Sequence, residues 1–126
     1  EQNGLLTASR EKDGSRPEKT VYEITDEGAR FFRQKLRELL NFEFRPAFAS
    51  DGVFYFFEYL DVKEISKSLE AYIDKLHRAI DDIEKQKKDT LGRVPPDMKT
   101  MVDIIFSHRL HHYRAELDWA VESIIV

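Results

Sequence analysis

The chain has no cysteine, which excludes disulfides and thiolate zinc sites and agrees with a reducing, cytoplasmic setting. No run approaches the roughly 20 apolar residues that a membrane-spanning helix needs, and no signal peptide is visible. A Gly-rich phosphate loop and a Ser-His-Asp order with a nucleophile elbow are both missing. Carboxylates such as Asp81, Asp82 and Glu84 stand among lysines and read as a solvated helix face. No catalytic site emerges, and neither an enzyme nor a cofactor is expected. Positive charge is also scarce. The 20 Lys and Arg against 24 Asp and Glu leave a net charge of −4, which argues against the whole chain wrapping nucleic acid. The acidity is uneven: residues 1–45 hold nine basic and nine acidic side chains, residues 46–126 eleven and fifteen. Hydrophobic residues at 41% and charged residues at 35% fit a soluble, helix-rich globular protein.

The organising stretch is Tyr22-Glu23-Ile24-Thr25-Asp26-Glu27-Gly28, where an alternating β pattern gives way to a helical one. Val21 to Thr25 reads as a half-buried strand. Thr25 and Asp26 can accept hydrogen bonds from the first turn of a helix, and Asp26 and Glu27 suit its positive end. Gly28 costs a helix roughly 1 kcal/mol against Ala, so a close approach by another backbone is expected there. Ahead of it, Leu5 to Ala8 reads as a first strand, Thr20 to Thr25 as a second, and Glu11 to Pro17 as a polar tip with Gly14 and Pro17 as turn formers. A hairpin that leads into a helix is the outline of a winged-helix wing.

The residues themselves carry a resemblance. Gly4-Leu5-Leu6, Arg16-Pro17, Lys19, Tyr22, Ile24-Thr25 and Glu27-Gly28 resemble the wing of PadR-type transcriptional regulators, and Ala115-Glu116-Leu117-Asp118-Trp119 resembles the close of that family's helical C-terminal domain. In the family a helix-turn-helix precedes the wing, whereas here Glu1-Gln2-Asn3-Gly4 looks like the tail of the helix that enters it. With no initiator Met, the expectation is a fragment: wing and linking helix over residues 1–41, then a helical dimerisation and effector domain over residues 42–126. The resemblance implies a regulator, most often a repressor, that reaches operator DNA through the complete protein. Arg10, Lys12, Ser15, Arg16 and Lys19 would supply wing contacts, although Glu11, Asp13 and Glu18 leave the tip only about one net positive charge, so those contacts are auxiliary.

After the wing, Phe31, Phe32, Leu36, Leu39 and Leu40 predict an amphipathic helix from Asp26 to about Leu40. Arg30, Arg33, Lys35 and Arg37 make it basic all round, which favours solvation over a DNA-binding face. Eight of the fifteen aromatics then fall between Phe42 and Tyr59. Pro46 should start a helix there and Ser50-Asp51-Gly52 interrupt it. So much apolar area must meet a partner: the chain's own helices, a second subunit, or a flat hydrophobic effector.

Asp61 to Glu64 looks like a capping box. Beyond it Ile65, Leu69, Tyr72, Leu76, Ala79 and Ile83 form a seam, widened by Ile73 and Ile80, on a helix running to about Lys88, roughly 40 Å. Asp89 to Pro96 breaks it, Asp97 or a neighbour caps the next helix, and Met98, Val102, Ile105, Phe106, Tyr113, Leu117, Ala120, Val121 and Ile124 continue the apolar pattern. The seam of the bundle or dimer is assigned to Ile65, Leu69, Tyr72, Leu76, Val102, Phe106 and Leu117. Antiparallel pairing of the two long helices leaves apolar surface over, so a homodimer is expected.

His108, His112 and Glu116 make a ladder at four-residue spacing that could hold a divalent ion, with His77 or His111 as a fourth ligand. Such pairs arise easily in a charged helix, and no metal site is assigned. Trp119 reads as core or interface; the resemblance adds that, in some members, a Trp on the final helix lines a dimer cavity and stacks on aromatic ligands. The expected architecture is mainly α: a short N-terminal β-hairpin, then a helical domain with two long antiparallel helices, dimeric. An effector or dimer pocket is assigned to Phe48, Phe54, Phe57, Tyr113 and Trp119, for a small aromatic or hydrophobic effector. The alternative is a helical dimerisation or protein-interaction module that senses nothing.

Overall fold

The computed structural model describes residues 2–12 and 14–125; Glu1 and Asp13, both named above, lie outside the described residues. The chain divides into two compact units, one ending at Ala47 and one starting at Phe48. The order is β1 (Leu6–Glu11), β2 (Lys19–Ile24) and α1 (Asp26–Leu39), then α2 (Asp51–Tyr55), a 3-10 turn at Phe57–Tyr59, α3 (Val62–Arg93), a 3-10 turn at Pro96–Met98, and α4 (Lys99–Glu122). Among the described residues no helix is long and apolar enough to cross a membrane.

In the first unit β1 and β2 pair antiparallel, from Leu6 opposite Ile24 to Glu11 opposite Lys19. β1 runs three residues past the expected Ala8, because polar residues on an open hairpin cost nothing in desolvation while each gains a partner on β2. The half-buried strand is corrected too: Tyr22 and Ile24 are exposed. Thr25 joins hairpin to helix. Its hydroxyl donates to Gly4 O at 2.7 Å and accepts from Gly28 N at 3.0 Å, and its own N–H donates to Leu5 O at 2.9 Å. A Cβ on buried Gly28 would run into the Leu5 carbonyl and come within 2.8 Å of Ile24 Cγ1, which is the close backbone approach expected at this position. Gly4, at φ 71°, bends the entering chain toward Thr25.

The apolar stripe of α1 stays open within its unit: Phe31, Phe32, Leu36 and Leu39 are all exposed. No helix starts at Pro46. Residues 42–48 are irregular and α2 begins at Asp51, where Ser50-Asp51-Gly52 was expected to interrupt a helix. Helix nucleation is costly, and Phe42, Phe44 and Phe48, ahead of Ser50, are all exposed, so little apolar burial offsets it. Hydrogen bonds of helical type begin only with Asp51 N to Phe48 O at 3.1 Å.

In the second unit Asp61 caps α3, its Oδ1 accepting from Lys63 N at 2.9 Å. The helix continues five residues beyond the expected Lys88, through Gly92 to Arg93, and stops at Val94, which Pro95 holds extended. Asp97 does not cap α4; it sits in the 3-10 turn, and the N-cap is Met98 without a side-chain bond. Tyr72 bonds Glu116 and Lys87 pairs with Asp103, so early α3 meets late α4 and the helices run antiparallel. Their core is Ile80, Ile83, Phe106 and Leu110, with Val102 and Leu117 against it. Leu110, only 3% exposed, escaped the sequence reading, which passed from Phe106 to Tyr113; Ile105, expected on the inner stripe, is 54% exposed. At the far end Ser66 donates to Ile125 O at 2.8 Å and accepts from Ile125 N at 3.2 Å, which ties the C-terminal residues back to α3.

Candidate effector pocket and wing surface

The second unit holds a cavity of about 340 Å³ between α2, the first turns of α3 and the end of α4. Its apolar walls are Val53, Phe54, Leu60, Ile65, Leu69 and Trp119. Phe54 and Trp119 meet edge to face, with ring centroids 5.9 Å apart and planes at 84°, a favoured aromatic arrangement. The polar wall is Ser50, Glu64, Ser68, Tyr72 and Glu116. Tyr72 donates to Glu116 Oε1 at 2.9 Å. Burial of the phenol, and then that bond and the charge of Glu116, push the Tyr72 pKa up, so its hydroxyl stays a proton donor.

Of the five residues assigned to the pocket, Phe54 and Trp119 line this cavity, whereas Phe48, Phe57 and Tyr113 are exposed and do not. α2 is a single turn, so only one of its rings can point inward while its neighbours fan outward. Tyr113, six positions before Trp119, stands roughly 120° round α4 from it. The seam residues sit where α3 and α4 face each other: Ile65, Leu69, Leu76 and Phe106 are buried, and Tyr72, Val102 and Leu117 half-buried. Sequence reasoning missed Glu64 and Ser68 as pocket residues. Their signal was present, since Glu64, Ser68 and Tyr72 recur at four-residue spacing as a polar edge beside Ile65 and Leu69.

The histidine ladder divides. His108 Nε2 and His112 Nε2 are 3.1 Å apart, but Glu116 is committed to Tyr72. His111 turns back along its own helix, its Nδ1 2.7 Å from Ser107 O. Among the described residues no three potential ligands gather at one point.

On the wing, Arg10, Lys12, Ser15, Arg16 and Lys19 are all exposed. The register sets Glu11 directly opposite Lys19 and Arg10 opposite Thr20, so one of the lysines faces a carboxylate across the hairpin. Gly14, at φ 58°, makes the turn.

Comparison with known proteins gives no matching family model and no matching curated protein. Among solved structures, the chain is similar to Bacillus subtilis PadR, solved in complex with operator DNA, at 17% identity and a TM-score of 0.78 over 98% of this chain and 70% of that one. The smu.1604c protein of Streptococcus mutans UA159 matches at 18% identity and a TM-score of 0.63, over 96% of this chain and 69% of its own. The PadR-like transcriptional regulator BC1756 of Bacillus cereus matches at 19% and 0.55, over 94% and 68%. The hairpin, linking helix and helical unit thus have the fold found in PadR-like regulators.

Proposed function

We propose that the chain works as the wing and the dimerising, effector-sensing part of a PadR-like transcriptional regulator, acting as a repressor in the cytoplasm. The fold shared with an operator-bound PadR, over nearly the whole chain, is the observation that carries this reading. The wing residues Arg10, Lys12, Ser15, Arg16 and Lys19 touch phosphate or the minor groove in it, while base reading belongs to the complete protein. Residues 42–126 form the dimer, and the Phe54–Trp119 cavity takes a small aromatic effector. An effector that binds one arrangement of the dimer better than another shifts operator affinity by that differential free energy and no more.

The test is a DNA-binding titration of the complete protein on the region upstream of its own gene, with Arg16→Ala and Lys19→Ala beside the parent. The expected result is a uniform loss of affinity across sequences and a shallower salt dependence in the variants. Absence of sequence-specific binding by the parent would remove the regulator reading. A second reading, an interaction module without an effector, is favoured by the outward rings of Phe42, Tyr55 and Tyr59, which are 87%, 83% and 85% exposed.

A further inference from the structure

α4 carries three of the chain's four histidines, and the fold gives them different partners. His111 Nδ1 lies 2.7 Å from Ser107 O, so that ring is held against its own backbone. His108 and His112, one helical turn apart and both exposed, turn their rings to each other. The ring centroids are 4.9 Å apart, the planes cross at 63°, and the two Nε2 atoms are 3.1 Å apart. Two neutral imidazoles in that contact share one N–H···N hydrogen bond. The same distance is also the edge of a metal polyhedron. Two nitrogens that each stand about 2.0–2.1 Å from a zinc ion lie roughly 2.8 Å apart at a right angle and roughly 3.4 Å apart at the tetrahedral angle.

We propose that His108 and His112 chelate a divalent transition-metal ion through their Nε2 atoms. The proposal is independent of the effector reading above. α4 supplies the preorganisation: a helix sets side chains four positions apart on one face, and these two Nε2 atoms already hold the spacing a chelate needs. When the ion enters, both Nε2 atoms present lone pairs, and the ring that carried the shared proton holds it on Nδ1 instead. Imidazole nitrogen suits Cu²⁺, Ni²⁺ and Zn²⁺, whereas Mg²⁺ and Ca²⁺ ask for oxygen. Among the described residues no third ligand joins the pair, and Glu116 Oε1 is engaged by Tyr72, so water completes the coordination and the ion exchanges. The ion bridges the turn of α4 that also carries buried Leu110, and by binding there it favours the folded chain.

The test uses the full chain without a polyhistidine tag, stripped of metal by a chelator, and takes the ions themselves as probes. Calorimetric titration at neutral pH should show one Cu²⁺, Ni²⁺ or Zn²⁺ bound per chain at micromolar concentrations, copper the tightest, and no uptake of Mg²⁺. His108→Ala and His112→Ala, both at exposed positions outside the core, should each weaken binding roughly tenfold or more. His77→Ala and His111→Ala should leave it unchanged. Zinc should also raise the thermal midpoint of the parent and of the His77 and His111 variants, but not that of the His108 and His112 variants. Absence of micromolar binding would overturn the proposal, as would binding that survives the loss of His108 or His112, or binding that needs His77 or His111.

Discussion

Thr25 and Gly28 hold the hairpin to its helix, the first by its hydroxyl and the second by having no Cβ where the Leu5 carbonyl lies. Gly28→Ala adds a Cβ that helix propensity alone would favour by about 1 kcal/mol, yet the carbonyl of Leu5 occupies its place. The expected outcome is a net loss of about 1–3 kcal/mol in the first unit, read as faster amide exchange at the start of α1; a neutral or stabilised variant would contradict the close approach. Thr25→Ala removes both the cap and the bond to Gly4, and should cost about 1–2 kcal/mol, while Thr25→Ser retains most of it. Tyr72 carries a different kind of prediction. Its pKa is raised above the usual 10.0 because the phenol is buried and donates to Glu116. The folded state therefore holds this proton more tightly than the unfolded one, so its contribution is intact below pH 10 and is lost as pH rises through the folded value. In an absorbance titration one tyrosine should ionise after the others, and Tyr72→Phe should delete that last step.

At the scale of the element, α3 and α4 are decided by which face of each is covered. Leu110→Ala should cost about 2–4 kcal/mol, as a large buried side chain is deleted from the tightest part of the core. Ile105→Ala, five residues earlier on the same helix, should cost well under half as much to the isolated subunit, because Ile105 faces outward. Chemical denaturation of both variants checks the contrast. Periodicity marked most of this seam, and the caps at Thr25 and Asp61 were legible for the same reason: they depend on neighbours only a few residues away. Leu110 was not legible, since it stands between Arg109 and His111 in a polar run and only the facing Ile80 and Ile83 make it core. Pro46 misled in the opposite sense, as a residue suited to open a helix does not by itself meet the cost of nucleating one.

For the whole molecule, the outward apolar face matters most. In the second unit Met101, Ile104 and Ile105 on α4, with Tyr55 and Tyr59, leave more oily surface exposed than a solitary soluble subunit ordinarily carries. Sedimentation at micromolar concentration should give a dimer, and Ile104→Asp should convert it to a folded subunit with an unchanged helical signal. A well-folded solitary parent would end the dimer reading.

The amino-acid order by itself settled the hairpin, the helical character of the remainder of the chain and the pairing of two long helices, because turns, caps and apolar periods act over a few residues. It also carried the resemblance to PadR-type wings in its own residues. The character of the pocket came only with the fold. Tyr72 and Glu116 lie 44 positions apart, and one was read as seam, the other as a metal candidate, until antiparallel packing set them in contact beside Phe54 and Trp119. Charge and aromatic surface at one point are properties of neighbours in space, and no local pattern along a chain encodes them.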